Sequence, residues 1–176
     1  MKPIRALTLD FNLITQSMRD ISRRTADYYL DKTTGKVVSL SRDLICALAQ
    51  DRSEGEAEVP AWDAHMIPLA RQIVLAGSPN YIRIPEAFGQ PEHCWMVAFT
   101  ADVKIPKMKQ KIFAALRGRG SCKRFKEILQ EYPEELKRWK EFRAQCWRGQ
   151  IQDWLEEAGI LALDENLSKP ISSLRP

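Results

Sequence analysis

The stretch GRGSCKRFKEIL (118–129) decides how the rest of the chain is read. Before it, Met108, Ile112, Phe113 and Leu116 recur at helical spacing, and after it Cys122, Phe125, Ile128 and Leu129 do the same. The pattern predicts two helices with a break at Gly118-Arg119-Gly120. Gly118 suits the left-handed position just past a helix end, where a side chain costs about 1–2 kcal/mol. Ser121 is then placed to cap the next helix by accepting from its free N–H groups. The same corner has a second reading, as an anion site. A helix N-terminus presents unpaired N–H groups and partial positive charge, and Arg117, Arg119, Ser121, Lys123 and Arg124 gather around this one. It is not a P-loop, because no GxxxxGK[ST] string is present.

Outward from the corner, helical spacing continues on both sides. Residues 94–101 and 106–117 form two helices ahead of it, and 121–131 a third. The last runs from Pro133 to about Ala158, with Pro133 in the first turn, Glu134-Glu135 on the positive helix end and Gly159 as its stop. On that helix Lys140, Arg143, Trp147 and Arg148 interleave rings and cations, a pattern that suits stacking with phosphate contact. The same rings, with Trp139 and Phe142, also fit a core covered by Arg and Lys stems. Cys122 shares a face with Phe125, which predicts a buried thiol. As a nucleophile it has cations beside it but no general base nearby in sequence.

The N-terminal half reads differently. Leu9, Leu13, Ile14, Met18 and Ile21 mark a first helix over 8–22, with Arg23-Arg24 in its last turn. YYLDKTTGKVVSL (28–40) sets aromatic and β-branched residues around a polar turn containing Gly35, which reads as a hairpin. Asp31 and the Thr33-Thr34 hydroxyls offer oxygens that a metal or phosphate could use, but residues of this kind more often satisfy backbone groups within the turn, and that is the expectation. Ser41 caps a short helix over 42–50, and 51–58 is an acidic loop. A helix runs from Pro60 to about Ala76, and YIRIP (81–85) adds a third strand. The expected fold is α+β, predominantly helical, with a small antiparallel sheet of 28–31, 36–40 and 81–84. Residues 1–163 are expected to form one domain: N-terminal helix and hairpin 8–50, helix and strand 60–85, helical part 92–160. Residues 164–176 are a flexible tail.

Composition narrows the function classes. With 44% hydrophobic and 28% charged residues over 176, the chain can bury a core without metal or disulfide staples. It has no apolar run of membrane-spanning length and no signal-peptide core, so no membrane partner and a cytoplasmic location are expected. The four cysteines are scattered and only His65 and His93 accompany them, which argues against a zinc site and for reduced, mostly buried thiols. No sequence pattern calls for a cofactor, and the paired carboxylates at 134–135 and 156–157 make no acid–base couple. Charge is the strongest signal. Residues 104–148 hold fourteen Lys/Arg against five Glu, +9, leaving −5 for the rest. That block favours an acidic partner, whether nucleic acid, anionic lipid or an acidic protein face, and it equally fits a solvated helical face.

The succession YYLDKTTGKVV, PAW, YIRIPE, ALRGRG, RFKEIL, RWKEFR and WLEEAGI resembles the bacterial uncharacterised protein family 0158. That family's pattern is YLD-x-x-TG-x-V, Pro-x-Trp, (Y/F)-(V/I)-x-IP, GRG-x-x-x-RFK and a closing Trp-x-x-Phe-Arg helix. The likeness spans 9–160. It implies a family and no activity: no catalytic residue, cofactor or substrate carries over. Where relatives show a small residue then an aromatic, this chain has Ser121-Cys122, which implies a core-facing position 122. Three functional expectations remain open. The first is a non-catalytic interaction module binding through 104–148. The second is an enzyme or ligand-binding protein holding a small phosphorylated or carboxylated molecule at the Gly118–Gly120 corner. The third is a protein-only adaptor with an apolar patch around Trp62 and Trp95. Catalysis is the less expected, and the sequence does not determine an oligomeric state.

Overall fold

The computed structural model describes residues 5–20, 25–51, 61–87 and 91–164. It is α+β and mainly helical, and it divides into two compact units: Met1–Glu86 with Ile151–Pro176, and Ala87–Gln150. Among the described residues no helix is long and apolar enough to cross a membrane.

The first unit opens with strand β1 (Arg5–Leu9) and helix α1 (Phe11–Arg19). The Asp10 carboxylate accepts from Asn12 N at 2.9 Å and Leu13 N at 3.0 Å, fixing the helix start at residue 11. The expected helix over 8–22 is therefore corrected at its beginning. Leu9 is buried as a strand residue, and Leu13 faces solvent. Arg23-Arg24 lie outside the described residues.

Strands β2 (Ala26–Asp31), β3 (Val37–Ser41) and β4 (Tyr81–Arg83) form the antiparallel sheet that the alternation predicts, in the order β3-β2-β4. Its turn is built by Asp31. Oδ1 accepts from Thr33 N at 2.7 Å, Oδ2 from the Thr34 hydroxyl at 2.9 Å, and the backbone carbonyl from Gly35 N at 2.8 Å. Partial burial pushes the Asp31 carboxyl up, but the Thr33 and Thr34 hydrogen bonds outweigh it and hold it below its ordinary value. Gly35 is needed twice over. Its φ is +76°, and a Cβ there would stand 2.6 Å from the Thr8 carbonyl oxygen of β1. On β2, the largely buried Asp27 accepts from Arg83 at 2.8 Å and Arg42 at 3.4 Å. The hydrogen bond to Asp27 raises Arg83. Burial, with the Asp27 charge, pushes the Tyr29 hydroxyl up.

Helix α2 (Arg42–Asp51) starts as expected, with Ser41 Oγ accepting from Leu44 N at 3.1 Å while its hydroxyl donates to Asp63. Leu40, Leu44, Leu48, Ala70 and Ile73 form a core cluster. The single helix expected over 60–76 is broken instead. A 3-10 segment (Ala61–Met66) leads into α3 (Ile67–Ala70) and a wider π turn (Arg71–Leu75). Pro68, which has no N–H to donate, interrupts the regular ladder. Most of the expected acidic loop, residues 52–58, lies outside the described residues.

The second unit holds α4 (Pro91–Asp102), α5 (Pro106–Ala115), α6 (Ser121–Gln130) and α7 (Pro133–Glu157) as far as Gln150. Its core joins Met96, Phe99, Val103, Met108, Ile112, Leu116, Phe125, Leu129 and Trp139. The rings meet edge to face, Phe125 with Trp139 at 4.9 Å and Phe99 with Trp139 at 5.3 Å.

After α7, in the first unit, Gly159 at φ +73° turns the chain into β5 (Ile160–Asp164). It pairs parallel to β1, Arg5 with Ile160 through Leu9 with Asp164. This pair is absent from the expected sheet. Beyond Asp164, the tail lies outside the described residues.

Candidate anion-binding surface

The glycine corner forms as two left-handed turns, Gly118 at φ +83° and Gly120 at φ +76°. Gly120 occupies the N-cap of α6, and its carbonyl accepts from Lys123 N at 3.1 Å and Arg124 N at 3.2 Å. Ser121 is the first helical residue and not the cap, which corrects the expectation. A left-handed backbone at Gly120 sets the entry angle without help from a side chain.

The Arg124 guanidinium turns back onto the end of α5. Nε and Nη2 donate to the Ala115 carbonyl at 3.2 and 2.8 Å, Nη2 also to Arg117 O at 2.8 Å, and Nη1 to Arg119 O at 2.7 Å. The final carbonyls of a helix lack intrahelical donors, and a planar fork of five N–H groups can serve several at once. Arg124 thus locks the corner from inside and leaves its neighbours to face solvent. Arg117 and Arg119 are exposed, and their side chains make no ion pair or hydrogen bond among the described residues. Lys123 is exposed and only 3.9 Å from Glu127, a weak helical pair; Lys126 is also exposed.

The other cations differ. Lys111 meets Glu131 at 2.8 Å, a hydrogen bond that raises its pKa. Arg138 is held by Glu135 at 2.9 Å and Asp102 at 2.5 Å and lies 4.9 Å over the Phe99 ring. Arg143 stands 3.9 Å from Glu92. Lys140 is exposed and Arg148 half-buried. The rings interleaved with these cations face inward. Trp147 is 4% exposed and meets Trp95 edge to face at 5.0 Å, while Trp139 and Phe142 pack in the core. On α7 the sequence pattern therefore marks a core face and not a stacking platform.

Two expectations about apolar positions are corrected. Cys122 is exposed, because the buried stripe of α6 begins at Phe125 and the first turn lies beyond it. Cys46 and Cys94 are exposed as well, and only Cys146 is half-buried, with burial pushing its thiol up. Phe113 also points outward, at 42% exposure. Nothing in the helical spacing distinguishes it from its buried neighbour Ile112. Trp95 is partly buried against the core, and the Trp62 side chain lies outside the described residues. A cleft of about 190 Å³ lies between α4 and α7. Phe99 and Phe142 line it with Asp102, Arg138 and Glu141, away from the glycine corner.

No curated protein and no solved structure matches the chain. The profile of the uncharacterised protein family UPF0158 matches residues 71–174, a span that includes the entire second unit.

Proposed function

The chain belongs to the uncharacterised protein family UPF0158, and from that premise we propose that it is a non-catalytic cytoplasmic interaction module. Its basic second unit binds a polyanionic partner through Arg117, Arg119, Lys123 and Lys126. The observation that carries this reading is the division of labour at the corner. Arg124 satisfies the helix carbonyls, so Arg117 and Arg119 stay exposed with no carboxylate among the described residues to neutralise them. The surrounding charge supports it: residues 87–150 hold fourteen Lys/Arg against seven Asp/Glu, +7, and the remainder of the chain sums to −3. An extended polyanion is favoured over a small phosphorylated molecule, because the half-buried cation of the corner is engaged internally and the others lie open to solvent. Free, exposed thiols at 46, 94 and 122 suit a reducing compartment.

Binding to a DNA duplex and to polyglutamate at about 50 and 200 mM salt tests the proposal, with affinity expected to fall steeply as counterions compete. The double variant R117E/R119E should abolish binding while leaving the unfolding free energy within about 0.5 kcal/mol of wild type. Salt-independent binding, or full binding by that variant, would sink the reading.

A further inference from the structure

We propose that the α5 face carrying Phe113 is a stacking platform for single-stranded nucleic acid, with the bases on the phenyl ring and the phosphates on the cations beside it. This rests on the polyanion reading above and narrows the partner to one class.

Three observations converge. The first is the ring itself. Among the described residues the exposed large hydrophobics are Leu13, Val97, Ile105 and Phe113, and Phe113 is the one aromatic among them. The other rings described in the second unit are buried in its core or packed against it. A phenyl group left outside an otherwise complete aromatic core offers apolar area to something that covers it.

The second is what stands beside it. On α5, Lys109 lies one turn before Phe113, at the four-residue spacing that places side chains on one face, and Arg117 follows two residues past the helix end. The Lys109 ammonium is tethered to the Ala101 carbonyl, whereas Arg117 is exposed.

The third is the sign of the surroundings. Residues 103–126 contain nine Lys/Arg and no Asp or Glu. A ligand for this surface therefore carries repeated negative charge together with flat apolar groups. Single strands meet both requirements, since each unpaired base presents a face to stack on and each linkage a charge. A duplex keeps its bases stacked on each other, and an acidic peptide such as polyglutamate has the charge without the rings.

The test uses the full chain and labelled oligo-dT and oligo-U of about twelve nucleotides, beside a duplex of equal length and polyglutamate. The expected result is tighter binding of the single strands than of either competitor. Phe113→Ala should weaken single-strand binding roughly 5- to 100-fold while leaving the salt slope and the duplex affinity unchanged. Phe113→Trp should preserve binding, and its indole emission should be quenched when the strand docks. Equal affinity of Phe113→Ala and wild type for single strands overturns the platform, as does equal wild-type affinity for strand, duplex and polyglutamate. In either case the polyanion reading survives. Failure of the wild-type chain to bind any of the four probes overturns both.

Discussion

Replacing Arg124 by Met keeps the length and apolar stem of the side chain and removes its fork. The structure allows the cost to be worked out. Four donor–acceptor contacts disappear, two to the partly buried carbonyl of Ala115 and one each to the more exposed carbonyls of Arg117 and Arg119. A hydrogen bond from a charged donor contributes about 1.5–3 kcal/mol where the acceptor cannot turn to water, and well under that where it can. Taking the Ala115 pair as one such bond and the exposed pair as about 0.5 kcal/mol each, the loss is about 2.5–4 kcal/mol. Arg124→Lys keeps the charge at the negative end of α5, worth about 0.3–1 kcal/mol, but cannot reach three carbonyls at once. It should fall between wild type and Arg124→Met. Urea unfolding followed by tryptophan emission is a suitable assay, since Trp139 of α7 meets edge to face the ring of Phe125, the residue after Arg124 on α6. A loss below about 0.5 kcal/mol for Arg124→Met would refute the multi-carbonyl lock. A Lys variant as stable as wild type would show that charge alone suffices.

Other outcomes follow from the same geometry. Gly35→Ala and Gly77→Ala both force a side chain onto positive φ, but only at Gly35 does the new Cβ meet backbone, 2.6 Å from Thr8 O. Gly77→Ala should cost about 1–2 kcal/mol, and Gly35→Ala about 1–3 kcal/mol more. Equal losses in urea titrations would mean that the hairpin turn is not pressed against β1. Because the folded Asp31 pKa lies below the ordinary 3.8, its contribution is present above that value and is lost as pH falls through the folded pKa. Wild type should exceed Asp31→Asn in stability at neutral pH and converge on it in acid; a gap that stays constant from neutral to acid pH contradicts this. In native-state labelling with a thiol disulfide reagent, Cys46, Cys94 and Cys122 should react first and Cys146 last. Rapid reaction at Cys146 would contradict its burial.

Much of the fold was legible because much of it is local. Helices α4 to α7, the Ser41 cap and the three-stranded sheet each follow from spacing, turn residues and proline placement within a short window. The β1–β5 pair was not legible. Leu9 continues the helical stripe of Leu13 and Met18, and the partner that makes it a strand residue lies 155 positions away. At the corner, sequence located the break and the cations but could not sort them. Ile112 and Phe113 are about 100° apart around the helix axis, so an apolar pair at these positions does not say which member the neighbouring helices cover. Likewise, a run of Arg and Lys does not reveal which one will find orphan carbonyls. Arg124 does so because the double-glycine bend brings the end of α5 back within its reach.

The pairing of β1 with β5 also imposes a schedule on synthesis. A ribosome extending the chain at about 5–20 residues per second needs roughly 8–30 s between making Arg5 and making Ile160. Throughout that interval the first strand has been translated without its mate. Residues 87–150, by contrast, gather their core from a window of 64 residues and have only short loops to close. Synthesis order and pairing order are thus inverted: β1 is translated before residues 87–150, yet its mate β5 is translated only after them.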